Sequence, residues 1–308
     1  MPTIDLSTPP PEPSGLLDAL PRRAALTLPE LRLVAERAGD APLPFDVVDP
    51  AGTTTLDGRL GQSRASTEDE ACAAALAALH DPATSLARRG LLEGEVVDPG
   101  LVGAVGLLAT PAIALDLDIG VGSVRAKAWH RQADDAVATL STVDGIVFEV
   151  AWFPVAQWPG ELARVAVVPE DLTLHDSAFP PVVDLPYELL DAAGEAARGG
   201  RSDLVPVLVA QHAGAVRDEQ GTPLADADVA GLMTALGTET RGRLRAMVAD
   251  VSGKDTLVAG VVSWVLLADG WHALRPRREG DEHRVEIRRV EPGDLATGLA
   301  PVLAEVTS

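Results

Sequence analysis

Hydrophobic and polar residues alternate with a period of two in two separate blocks of the chain, and this pattern predicts strands. In the first block the strands fall at about Ala112 to Ile119, Val124 to Arg131, Ala136 to Leu140 and Ile146 to Trp152, and a helix follows from about Ala156 to Val165. In the second they fall at about Arg243 to Val251, Ala259 to Leu267, Trp271 to Arg275 and Arg284 to Val290, with a helix from about Gly293 to Glu305. Asp269 and Gly270 give a tight hairpin signal, Asp134 and Asp135 stand at the matching place in the first block, and Asp144 with Gly145 marks another turn. A short helical pattern precedes each block, Pro99 to Leu108 and Asp226 to Leu236. Thr67 to Leu79 and Thr84 to Arg89 read as extra helices of the first block.

The openings of the two segments also correspond. Leu28, Pro29, Glu30, Leu31 leads through an Ala-rich stretch to Gly39 and then Pro44 to Val47, while Leu185 to Leu189 leads to Gly199 and then Val205 to Leu208. Proline in the first turn and glycine past the last one predict a helix in each case, followed by a short strand. The repeated order predicts an internal duplication. Strands joined by tight turns, with helices before and after, give an α+β class: a central, largely antiparallel sheet flanked by helical bundles in two quasi-two-fold-related halves. The expected division is a flexible arm over 1–25, an N-terminal half over 26–168, a Pro-rich connector over 169–184 and a C-terminal half over 185–308.

Composition narrows the partners. The net charge of -21 repels phosphate backbones and anionic lipid, so neither nucleic acid nor membrane insertion is expected, and an acidic face docking a basic protein is one alternative. The single cysteine, Cys72, lies in an Ala-rich run and forms no internal disulfide, which fits a reducing cytoplasm. No secretory leader or membrane-length apolar run is evident, and the oligomeric state is left open.

Candidate chemistry is sparse. The six histidines, His80, His130, His175, His212, His272 and His283, lack metal-ligand spacing and read as surface or strand-end residues. Asp134 and Asp135 read as a solvated turn, and Asp116 and Asp118 as the polar face of a strand. Gly100, Gly103 and Gly106, or Gly120 and Gly122, lack the context of a phosphate-binding loop. Trp152 and Trp264 read as core, whereas Trp158 and Trp271 stand near element ends where an indole can be half exposed. No catalytic residue, cofactor or metal is expected, although an enzyme or small-molecule binder with an unadvertised pocket is a second alternative.

Several phrases in sequence order resemble the EspG family of type VII (ESX) secretion chaperones in actinobacteria. They are Leu28 to Val47; Leu86 to Leu92; Val97 to Leu101 with Leu107 to Pro111; and Val262, Ser263, Trp264. The resemblance implies a central sheet between two helical bundles, no catalysis, and a cytosolic chaperone that covers the aggregation-prone tip of a PE/PPE-like heterodimer or another helical export substrate. It also implies binding through an early strand loop and the C-terminal helical region, here Gly120, Val121, Gly122 and Ser123, and Val229, Leu232, Met233 and Leu236. This loop is shorter than in many members of that family.

Overall fold

A computed structural model describes residues 20–45, 74–76 and 78–306. Among these residues ten strands form one antiparallel sheet. In chain order they are β1 (Arg22–Thr27), β4 (Ile113–Val121), β5 (Val124–Ala133), β6 (Ala136–Thr142), β7 (Val147–Pro154), β8 (Val182–Pro186), β9 (Gly242–Asp250), β10 (Leu257–Leu267), β11 (Gly270–Glu279) and β12 (Glu282–Val290). The pair β2 (Leu92–Glu93) and β3 (Val96–Val97) forms a separate small ladder. The large sheet runs β1-β7-β6-β5-β4-β9-β10-β11-β12-β8, so two four-strand meanders meet at β4 and β9 and an earlier strand closes each outer edge. The seam pairs Ile113 with Asp250 through to Val121 with Gly242.

The helices are α1 (Leu28–Arg37), α2 (Pro82–Arg88), α3 (Pro99–Ala109), α4 (Trp158–Val165), α5 (Tyr187–Arg198), α6 (Val205–Gln211), α7 (Asp226–Glu239) and α8 (Asp294–Val306). Local chemistry starts several of them. Thr27 accepts from the Glu30 amide while Glu30 Oε2 accepts from the Thr27 amide at 2.8 Å, a capping box worth about 1 kcal/mol. Asp81 and Asp98 cap α2 and α3 through the amides of Thr84 (2.8 Å) and Leu101 (2.9 Å).

One face of the sheet carries a core shared by both halves. Leu115, Leu117, Leu244, Ala246, Trp264 and Trp271 lie there under α4 and α8. Gly260 lets α8 approach, since a Cβ there would stand 2.9 Å from Val302 Cγ1. The opposite face has two separate cores. On the N-terminal half α1, α2 and α3 cover Trp129, Leu140, Phe148 and Val150, with Phe45 stacked on Trp129 and Phe148 at 5.2 and 5.1 Å. On the C-terminal half α5, α6 and α7 cover Val183, Leu185, Val265, Leu267 and Ile287.

The meander strands and their closing helices fall where alternation placed them, within a few residues. The openings of the halves do not. A strand precedes the first helix in each, β1 before α1 and β8 before α5, so the arm expected over 1–25 contains most of β1 and the connector expected over 169–184 contains the start of β8. The strand expected over Val205 to Leu208 is the helix α6, because Pro206 sits in its first turn and Val205 and Val209, four apart, are the buried pair. The run Pro44 to Val47 is described only to Phe45, where it is a bend; Asp46, Val47, Cys72 and most of Thr67 to Leu79 lie outside the described residues.

Two histidines also depart from the surface reading. His130 is 2% exposed and its Nδ1 accepts from Trp158 Nε1 at 2.8 Å; burial first, then the charges of Arg131 and Arg164, push its pKa down to about 3, so it is neutral. His272 is fully buried, with Nε2 2.9 Å from Asp269 Oδ1 and its ring edge-on to Phe179. Trp158 and Trp271 are buried rather than half exposed, Trp271 Nε1 donating to the Ala166 carbonyl at 2.8 Å. Trp152 is half-buried, and its indole lies where a Cβ on Gly100 would come within 3.1 Å, so that glycine serves helix packing.

Candidate partner-binding face

Among the described residues the two helical bundles stand apart on one face of the sheet and leave the central strands between them open. Alternation decides what they show: Asp116, Asp118 and Gly120 on β4, Arg125 and Lys127 on β5, Arg243, Arg245 and Met247 on β9, and Val261 and Ser263 on β10. Of these Asp118, Arg125, Lys127, Arg243, Arg245 and Val261 are exposed. In register, Asp118 lies between Lys127 and Arg245, an opposite-charge row across three strands, and Gly120 lies between Arg125 and Arg243. Asp116 pairs with the buried Arg131 at 2.6 Å.

Glycines fix the end of this floor. Gly122 turns the β4–β5 hairpin with φ 57°, and its N–H donates to the Arg241 carbonyl at 2.9 Å. Arg125 folds back to donate to the carbonyls of Gly122 (3.0 Å) and Val124 (2.9 Å), crossing Gly120, where a Cβ would meet its guanidinium at 3.1 Å. A Cβ on Gly242 would stand 2.5 Å from the Gly120 carbonyl oxygen, so only glycine allows the seam to close there. Arg241 ties the corner to the segment after the first half through the Thr173 carbonyl (2.8 Å) and His175.

On the C-terminal side the floor runs into a cleft of about 620 Å³ between α5, α7 and the sheet. Its lining includes Leu190, Met233, Leu236 and Leu274 with Arg198, Arg243 and Arg245. A second hollow of about 590 Å³ lies at the opposite end of the seam, between Pro42 to Pro44, Leu108 to Pro111 and Ser252.

The structure gathers some of the expected binding residues and separates others. Gly122 and Ser123 are exposed at the hairpin tip, adjacent to Arg241 just beyond α7, so the early loop and the end of the C-terminal helix do meet. Val121 points into the shared core. Val229, Leu232 and Met233 pack inward at 2%, 5% and 5% exposure, which leaves Leu236 and the cleft-facing part of Met233 as the positions on α7 that a partner could reach. The basic residues of the floor were missed, although Arg243 and Arg245 alternate with Leu244 and Ala246 just as Asp116 and Asp118 alternate with Leu115 and Leu117.

Among the described residues no group of three or more His, Cys, Asp or Glu is placed to hold a metal ion, and no helix is long and apolar enough to cross a membrane. No known family profile matches the sequence, and no curated protein matches it. Among solved structures the fold is similar to that of the Mycobacterium tuberculosis type VII secretion system chaperone EspG5, determined in complex with a PE25–PPE41 dimer. The likeness covers 92% of this chain and 96% of that one, with a TM-score of 0.60 and 13% sequence identity. At that identity it establishes an EspG-like fold.

Proposed function

We propose that this protein is a non-catalytic, cytoplasmic chaperone of type VII secretion that binds a helical export substrate, a PE/PPE-like heterodimer or its equivalent, and keeps it soluble. The observation that carries this reading is the whole-chain likeness to EspG5, whose solved complex holds a PE25–PPE41 dimer. The open face supports it: a hairpin tip, a helix end and an apolar cleft lie together on one side of a rigid sheet, where a helix tip could be desolvated within a polar rim. The contact set proposed is Gly120, Gly122 and Ser123 with Met233 and Leu236, framed by the floor between the bundles.

The matching order of strands on either side of the seam also supports an origin by duplication, with the halves dividing near the segment 169–184. The function is tested by co-expressing the chain with helical export candidates encoded beside it. Elution of a stoichiometric complex in gel filtration, with the substrate aggregating when expressed alone, is the expected result. Turnover of a co-purified small molecule without any helical partner would overturn the reading.

A further inference from the structure

The charge of the open face is opposite to that of the chain. The molecule has 46 acidic and 25 basic residues, so a random sample of its charges is mostly acidic. The exposed charged residues on the floor strands are Arg125, Lys127, Arg243 and Arg245 against Asp118, four basic to one acidic. Among the described residues Arg125, Lys127, Arg243 and Arg245 make no ion pair, although every strand beside them is fixed in register. Among the residues that line the floor and its cleft the walls do not reverse this balance, while Glu188 and Glu195 of α5 lie outside that lining. Helix α3 carries no charged residue at all, and the cleft on the other side adds Arg198 against Asp191.

Arg125 and Lys127 on β5 and Arg243 and Arg245 on β9 flank β4, whose Asp118 offsets only part of their charge, and an anionic partner neutralises the excess that remains. The apolar side chains of Leu190, Met233, Leu236 and Leu274 lie next to it in the cleft. A ligand matching both features has carboxylates along one side and an apolar residue that enters the cleft. We infer that the open face captures its partner through an acidic amphipathic helix. The helical form of the occupant rests on the function proposed above; its charge rests on the floor itself. Arg243 and Arg245 face the carboxylates, Lys127 and Arg125 extend the track across the seam, and the cleft seats the apolar anchor.

The test uses synthetic helical peptides of about 20 residues, long enough to span about 30 Å, with one leucine stripe and a polar side made of Glu or of Gln. Fluorescence anisotropy is read against the full chain at about 50 and about 300 mM NaCl. The Glu peptide is expected to bind at least tenfold more tightly than the Gln peptide at low salt and to weaken at least fivefold at high salt. R243E/R245E is expected to abolish that preference, and K127E to reduce it, with unchanged circular dichroism.

Equal binding of the two peptides, or a Glu preference that survives R243E/R245E, would overturn the inference. So would a single-stranded oligonucleotide of matching charge that binds while the Glu peptide does not. If a co-expressed helical partner is captured in a complex indifferent to salt and to R243E/R245E, the acidic-helix inference fails and the chaperone reading stands. Absence of any helical partner counts against the chaperone reading alone, since the peptide comparison is scored separately.

Discussion

The two faces of β4 and β9 share one backbone and have opposite fates. Leu115, Leu117, Leu244 and Ala246 are at most 3% exposed beneath α4 and α8, while Asp118, Arg243 and Arg245, one residue away from them, stand in solvent. One face is a single core that crosses the seam; the other is divided into two cores with an uncovered strip between. The halves are therefore joined through the core of one face, while on the other each half packs its own helices and a strip of sheet between them stays in solvent.

The strongest way to break that contrast is to cut into each face on the same strand. Leu115→Ala should cost about 3 kcal/mol or more, as a fully buried leucine does, while Asp118→Ala should cost under about 1 kcal/mol, both read from urea unfolding. Similar losses would mean that the open strip is covered in solution.

The outer edges give the next test. Asp184 is buried in β8 and is bonded by Arg284 Nη2 at 2.7 Å and Arg277 Nε at 3.1 Å. Burial alone would raise its carboxyl, but the two arginines outweigh burial and hold it below the usual range. Asp184→Asn should cost about 3 kcal/mol by removing the one buried anion of Arg284, whose other partners Glu279 and Glu282 are exposed. At the opposite edge Arg23 bridges β1 to Glu149 and Glu161 while partly exposed, and Arg23→Ala should cost under about 1 kcal/mol.

Acid separates the faces further. His130 is held neutral on the shared-core face with a pKa of about 3, whereas an unfolded histidine titrates near 6.5. Below about pH 6.5 only the unfolded chain takes up this proton, so stability falls as pH drops toward 3, by about 2 kcal/mol at pH 5. His130→Gln keeps an acceptor for Trp158 and should flatten the stability profile between pH 7 and 5. The Asp184 contribution, by contrast, is lost only as pH falls below the ordinary carboxylate range. The smallest effect expected is on the open face, where R243E/R245E should shift the melting temperature by no more than a few degrees.

What the sequence disclosed follows from this geometry. The central strands β4 and β9 were legible because each has one covered and one less covered face, which writes a period of two into Leu115 to Ile119 and Gly242 to Ala246. The edge strand β8 was not, because all five of its residues are buried and its Asp184 finds partners a hundred positions away, so a short Val-Val-Asp-Leu-Pro run reads as part of a proline-rich link. Helix α6 hid behind its valines, whose β-branching suggests a strand until the spacing of the buried pair is considered. On the candidate partner-binding face, Gly122 is exposed and Leu236 half-buried, while Val229 and Leu232 carried an apolar signal that belongs to packing. The basic floor was written in Arg243 and Arg245, but its meaning depends on β4 lying beside β9 with β5 next to β4, which only the tertiary pairing brings about.

The seam also makes the molecule divisible. A chain severed in the segment 169–181 would yield two fragments, each ending its sheet in a bare nine-residue border, β4 on one and β9 on the other. Each fragment alone would be prone to self-association along that border, and mixing them would restore the missing neighbour. The same ladder that fuses the halves could thus act as a reversible clasp, allowing assembly of the whole to be switched on by supplying its second piece.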